Sequence, residues 1–186
     1  MIRLETERLV FRDHEPADLE PFCAMEADPE VRRYVGGSPR TRGAAEQKFR
    51  TVYLPASTDR MRLRATVFKE DGCYIGYCGI YPHFVRGAPI RGEERLAFYL
   101  ARPYWGCGLA TEAGRAFIAL GFGDWKLSRI VSSVEVGNDA SMRVLAKLGF
   151  RWFEDEAVNG RSFRKFELRK ESDGTAAALH GSFASR

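Results

Sequence analysis

The spacing of apolar residues changes along the chain, and each change marks an element. The apolar residues Leu9 and Phe11, two positions apart, give the period-2 spacing of a strand that opens the chain. A helical spacing follows over 16–27, with Pro16 suited to a first turn and Leu19, Phe22, Cys23 and Met25 supplying the apolar positions. A second helix is predicted over 43–54, stopped by Pro55. Residues 61–68 and 73–81 read as strands joined by a turn at 69–72. The Gly-, Pro- and Arg-rich stretch 82–94 reads as a loop, and 96–101 as a further strand. Beyond it, Gly106 and Gly108 lead straight into a helical run over 109–125, with Ala110, Ala113, Phe117, Leu120 and Phe122 toward its buried side. A β-branched strand is predicted over 129–136. Asn138 is suited to cap a helix over 140–148 that Gly149 ends, and 152–153 and 163–168 complete the sheet.

A chain of 186 residues fits one domain, expected over 1–171, with the Ala/Ser/Gly-rich stretch 172–186 as a frayed tail. No apolar run approaches the roughly 20 residues of a membrane span. The first eight residues carry two Glu and two Arg in place of an apolar signal, so the cytoplasm is the expected compartment. The charge is mildly basic, 29 Lys plus Arg against 25 Asp plus Glu, and scattered: it suits a polyanionic ligand without requiring nucleic acid. Arg60, Arg62 and Arg64 share one face of a predicted strand and read as solvated. Cys23, Cys73, Cys78 and Cys107 include no C-x-x-C pair and no His at ligand spacing, so reduced thiols and no metal site are expected. Cys73 and Cys78 point to opposite faces of their strand.

The segment Pro103-Tyr-Trp-Gly-Cys-Gly-Leu-Ala-Thr-Glu-Ala113 carries the most chemistry. Two glycines flank one residue between a strand and a helix, where positive φ and close ligand approach need the missing Cβ. Amides from Gly106 to Thr111 converge on a helix N-terminus, a site for an anion such as a diphosphate. A P-loop would need Lys and Ser/Thr after the last glycine, where Leu109 and Ala110 stand. A dinucleotide fingerprint would need Gly or Ala where Thr111 stands.

Residues 100–113 resemble the acyl-CoA diphosphate loop of the GNAT superfamily, and the Trp-Gly-x-Gly-x-Ala-Thr-Glu-Ala wording is similar to its RimJ/RimL-type branch. Two further blocks agree: Thr6-Glu-Arg-Leu-Val-Phe-Arg12 resembles that branch's opening strand, and residues 138–150, Asn-Asp-Ala-Ser-Met-Arg-Val-Leu-Ala-Lys-Leu-Gly-Phe, its Asn-x-x-Ser helix. The resemblance spans about residues 3–170 and implies an α/β (α+β) fold: a mixed, mostly antiparallel sheet, splayed at the acyl-CoA site and flanked by helices. It implies acetyl-CoA as co-substrate and an amine acceptor as partner. It leaves a homodimer open and calls for neither a membrane nor nucleic acid.

By position, the resemblance places the pantetheine arm against backbone groups of Leu100 and Arg102. The diphosphate falls on the amides of Gly106, Cys107, Gly108, Leu109, Ala110 and Thr111, and Asn138 and Ser141 lie beside the arm. The backbone N–H of Leu100 is the expected oxyanion donor. Three departures bear on catalysis. Pro103 stands where the superfamily has Gln or Arg, with Arg102 one residue off. Leu145 stands where many members carry a Tyr acid, which makes Ser141 the candidate proton donor. Arg95, with Glu94 beside it, stands where many relatives place a Glu base, so Glu94 is the candidate base, with Asp13, Glu15, Glu112 or a chain of waters as the alternatives. Glu112 reads as a structural carboxylate, His14 and His83 as ordinary loop residues on the acceptor side, Cys107 as a filler between glycines, and Arg143 and Lys147 as solvated charges. An α-amine with pKa about 8 costs about 1.4 kcal/mol to neutralise at pH 7, against roughly 4.6 for a lysine near 10.4, so a site without an evident base favours an α-amino group. A small polyamine or antibiotic, or a non-catalytic acyl-CoA-binding role, are the alternatives.

Overall fold

The computed structural model describes residues 4–55, 62–85 and 88–170, with backbone alone for 84–85, 88–89 and 91–93; the predicted tail at 172–186 lies outside the described residues. Among the described residues, eight strands form one sheet in the order β1-β2-β3-β4-β5-β6-β8-β7: β1 Leu4–Glu5, β2 Leu9–Arg12, β3 Arg64–Phe68, β4 Tyr74–Val85, β5 Ala88–Leu100, β6 Arg129–Glu135, β7 Arg151–Val158 and β8 Arg161–Arg169. Every neighbouring pair is antiparallel except β5 and β6. Helices α1 Leu19–Ala27, α2 Pro29–Arg32 and α3 Arg42–Lys48 precede β3; α4 Leu109–Gly123 and α5 Asp139–Lys147 flank β6. The expected mixed, mostly antiparallel sheet with flanking helices is the observed architecture.

The two faces of the sheet carry separate cores. Ile80, Leu96 and Leu100 pack with Leu109, Ala113 and Phe117 of α4 and Leu145 of α5 on one side. Tyr77 packs with Phe22, Met25, Ala45 and Phe49 on the other, beneath α1 and α3. That second core holds a buried carboxylate. Glu26 accepts hydrogen bonds from the Tyr77 hydroxyl (2.8 Å), Arg40 Nε (2.7 Å) and Lys48 (3.3 Å), with Arg32 3.2 Å away. Burial alone would raise its pKa, but these cations and the hydroxyl hold it below the ordinary value.

Several expectations are corrected. The stretch 82–94 is the far half of a β4–β5 ribbon, paired through Pro82↔Glu94 to Val85↔Ala88. Its prolines fall at a bulge between Pro82 and Phe84 and next to the turn, positions where a missing N–H is tolerated. Secondly, the described arginines of the 60–64 series are not simply solvated: Arg64 is buried and pairs with Asp13, and the partly buried Arg62 donates to the carbonyls of Tyr53 (2.8 Å) and Pro55 (3.2 Å). Arg60 lies outside the described residues. Finally, His14 lies in the loop after β2, as expected, but it is buried there. It is 5% exposed, packed among Phe49, Tyr53, Tyr74 and Tyr77, and burial lowers its pKa to about 4. The predicted helix over 43–54 ends at Lys48 and continues as a π-helical turn, Phe49–Tyr53, which sets Phe49 and Tyr53 against His14.

Candidate active site

The parallel pair β5–β6 is joined at one register position, Arg95↔Val131, reinforced by the Ser132 hydroxyl donating to the Leu96 carbonyl (3.0 Å). Toward Leu100 the described strands have no further pairing and part. The Ala101 N–H donates to Ile75 O (2.8 Å), so odd-numbered residues near the end of β5 turn their backbone groups to β4. Even-numbered Leu100 turns its own toward the gap, where its carbonyl accepts from Trp105 Nε1 (2.7 Å) and its N–H faces β6. That leaves a strand edge on which an extended ligand can pair.

The chain leaves β5 through a single 3-10 turn, Arg102–Tyr104, and reaches Gly106 and Gly108, both left-handed (φ +76° and +81°). Gly108 stands at the N-cap position of α4 without a side chain to cap it, and among the described residues no cap bond reaches the first amides of this helix; Thr41 of α3 and Asn138 of α5 supply such bonds. The N–H groups of Leu109, Ala110 and Thr111 therefore point off the helix end. A Cβ at Gly106 would meet no atom within 4 Å, and one at Gly108 would meet only Arg8 Nη2, at 3.6 Å. The open space and the bare amides fit a diphosphate.

Asn138 Oδ1 accepts the Ser141 N–H (3.1 Å), so Asn138 is a cap, as its position predicted. Ser141 lies one turn before the fully buried Leu145 on the same stripe of α5, directed toward the core that contains Leu100. Leu145 fills its position with packed side chain, and no hydroxyl stands there. Glu94 does not join this group. It lies six residues, about 20 Å, along β5 from Leu100, beyond the joint at Arg95↔Val131. Arg102 and Cys107 are exposed, and Cys107 Sγ lies 3.4 Å from the Trp105 carbonyl.

Sequence reasoning passed over two features. A cleft of about 270 Å³ lies on the α1 side of Ala101–Pro103, bordered by Met25, Asp28, Val31 and Tyr74. The segment 33–40 crosses to the far half of the sheet: the Tyr34 hydroxyl donates to the Gly137 carbonyl (2.9 Å), and Arg161 reaches the Arg33 carbonyl (3.0 Å). Gly36 and Gly37 in this segment were the one local signal. Among the described residues no group of three or more potential metal ligands occurs, and no helix is long and apolar enough to cross a membrane.

A family model described as the acetyltransferase (GNAT) domain matches residues 8–151. The uncharacterized N-acetyltransferase p20 of Bacillus licheniformis is 32% identical over 81% of this chain and 83% of its own length. In fold, the chain is similar to a GNAT-family acetyltransferase from Bacillus anthracis (TM-score 0.78, 20% identity, 92% of this chain and 100% of that one). It is also similar in fold to the ribosomal-protein-S5-alanine acetyltransferase of Vibrio fischeri (TM-score 0.71, 17% identity, 92% and 98%). The parted β5–β6 pair, the bare α4 N-terminus and these likenesses lead to one conclusion: the chain belongs to the GNAT acetyltransferases and is an acyl-transferring enzyme.

Proposed function

We propose that the protein is an acetyl-CoA-dependent N-acetyltransferase of the RimJ/RimL type, whose acceptor is an α-amino group on a protein N-terminus or a small molecule. The parting of β5 from β6 beside the uncapped α4 N-terminus carries this reading, because it presents a strand edge and an anion cradle end to end. Acetyl-CoA, once bound, supplies the activated acyl group. The amides of Gly106 to Thr111 hold its diphosphate, and the backbone of Leu100 and Arg102 lines the pantetheine arm with Asn138 and Ser141 opposite. The Leu100 N–H takes up the negative charge that develops on the carbonyl oxygen, a contribution of about 2.7–4 kcal/mol where such donors have been removed. The Ser141 hydroxyl donates the proton needed by the departing thiolate.

No carboxylate is assigned as direct base, because Glu94 stands at the joined end of the strand pair. The acceptor therefore has to arrive neutral or lose its proton to water, which favours an amine whose pKa is about 8 over one near 10.4. It enters on the α1 side, by the cleft that Asp28 borders.

Thiol release from acetyl-CoA at pH 7 tests this with three acceptors: a peptide with a free N-terminus and blocked lysine, the reverse peptide, and a polyamine. The free α-amine is expected to lead by tenfold or more, with kcat/KM rising with pH and levelling above about 8. A faster lysine peptide or polyamine would overturn the acceptor assignment. Tight cofactor binding with no turnover on any amine would point to a binding module.

A further inference from the structure

The glycine loop is held from outside by the N-terminal turn of the chain. Glu112, in the first turn of α4, receives the Thr6 hydroxyl (2.6 Å) and the Arg8 N–H (2.9 Å) on Oε1, and Arg8 Nε and Nη2 (2.7 Å each) on Oε2. These donors pull its pKa down against the effect of burial. The remaining terminal nitrogen of the same guanidinium, Nη1, donates to the Cys107 carbonyl (3.0 Å). Lys69, in the β3–β4 turn, fixes the other side of this turn through Thr6 O (2.7 Å), Glu5 (3.0 Å) and a backbone bond to Arg8 O (2.9 Å).

The consequence lies in one peptide plane. In a trans peptide the carbonyl and the following N–H point in opposite directions. With the Cys107 carbonyl tied outward to Arg8, the Gly108 N–H must point to the other side of the loop, toward the open cradle. Glycine at 106 and 108 leaves this plane free to turn, so the sequence of the loop alone does not set the direction. We propose that Arg8, oriented by Glu112 and Thr6, is a positioning residue for cofactor binding: it sets the Cys107–Gly108 peptide so that its N–H meets the diphosphate. The inference rests on the acetyl-CoA reading above and adds to it two residues, Arg8 and Glu112, that need not touch the reacting atoms.

The test compares calorimetric dissociation constants for CoA and for pantetheine, which lacks the diphosphate, in wild type, Arg8→Ala, Arg8→Lys and Gly108→Val. Arg8→Ala is expected to weaken CoA by about tenfold, the scale of one lost charge-assisted hydrogen bond, and to leave pantetheine unchanged. Arg8→Lys keeps the charge but cannot span Glu112 and the Cys107 carbonyl, so it is expected to recover little of the loss. In wild type the Gly108 amide nitrogen and proton resonances should shift on adding CoA, and in Arg8→Ala that shift should be lost. Equal weakening of CoA and pantetheine would reduce Arg8 to a general structural role and overturn the proposal, as would full recovery with lysine. If wild type holds CoA no tighter than pantetheine and Gly108→Val changes nothing, the diphosphate reading itself falls. If wild type discriminates, Gly108→Val abolishes it and Arg8→Ala does not, the inference about Arg8 alone falls.

Discussion

His14 shows how far a single side chain can depart from its sequence context. Flanked by Asp13 and Glu15 it looks like a loop residue, yet four aromatic rings enclose it, and neither ring nitrogen has a partner among the described residues. Burial is the main reason that its pKa falls to about 4 from 6.5. Above the unfolded value His14 is neutral in both states. Between the two values the unfolded chain binds a proton that the folded site refuses, so stability is lost as pH drops from about 6.5 to 4. The whole window corresponds to roughly 3 kcal/mol. Urea denaturation should show this acid limb in wild type and a flattened one in His14→Phe; an identical slope in both would mean that other groups govern it. The site residues were more legible. Asn138 was readable as a cap because capping depends on local side-chain chemistry, and Gly106 and Gly108 were readable because left-handed backbone favours glycine.

Among the elements, α4 and α5 follow their apolar spacing closely, while the β4–β5 ribbon does not. Its far half contains Pro82, Pro89 and Gly92, a composition that reads as a loop; pairing between the two halves of the ribbon overrides it. The near half depends on a glycine for a different reason. At Gly76 φ is +144°, and an added Cβ would come within 2.0 Å of the Tyr99 carbonyl oxygen. Gly76→Ala forces β4 and β5 apart next to Leu100. A loss of about 2–3 kcal/mol is expected, seen as a fall in Tm of roughly 5–10 °C for a chain of this size. A Tm within 1–2 °C of wild type would show that the ribbon relaxes without strain.

At the scale of the whole molecule, the sheet is two parts meeting at a short joint. Strands β1–β5 and β6–β8 share the register pair Arg95↔Val131 and the Ser132–Leu96 bond, with the 33–40 segment crossing through Tyr34 and Arg33. A ligand lying in the parted end would add a link between them. At a CoA concentration one hundred times Kd, mass action gives about 2.7 kcal/mol, so Tm should rise by roughly 5–10 °C in wild type and stay unchanged in Gly108→Val. An unchanged wild-type Tm would mean that the folded protein does not bind CoA, and an equal rise in Gly108→Val would place CoA outside that gap. What the sequence determined alone is whatever depends on near neighbours: the strand–glycine–helix succession at 96–125, the capped helix after Asn138, and the uncapped helix that leaves its amides for an anion. Contacts between residues far apart in the chain needed the tertiary structure. Thr6 and Arg8 meet Glu112 across more than a hundred positions, Arg64 finds Asp13, and Glu94 falls at the joined end of β5 and β6, away from the gap. No periodicity encodes such meetings, because they follow from which strands pair and how far each pairing runs.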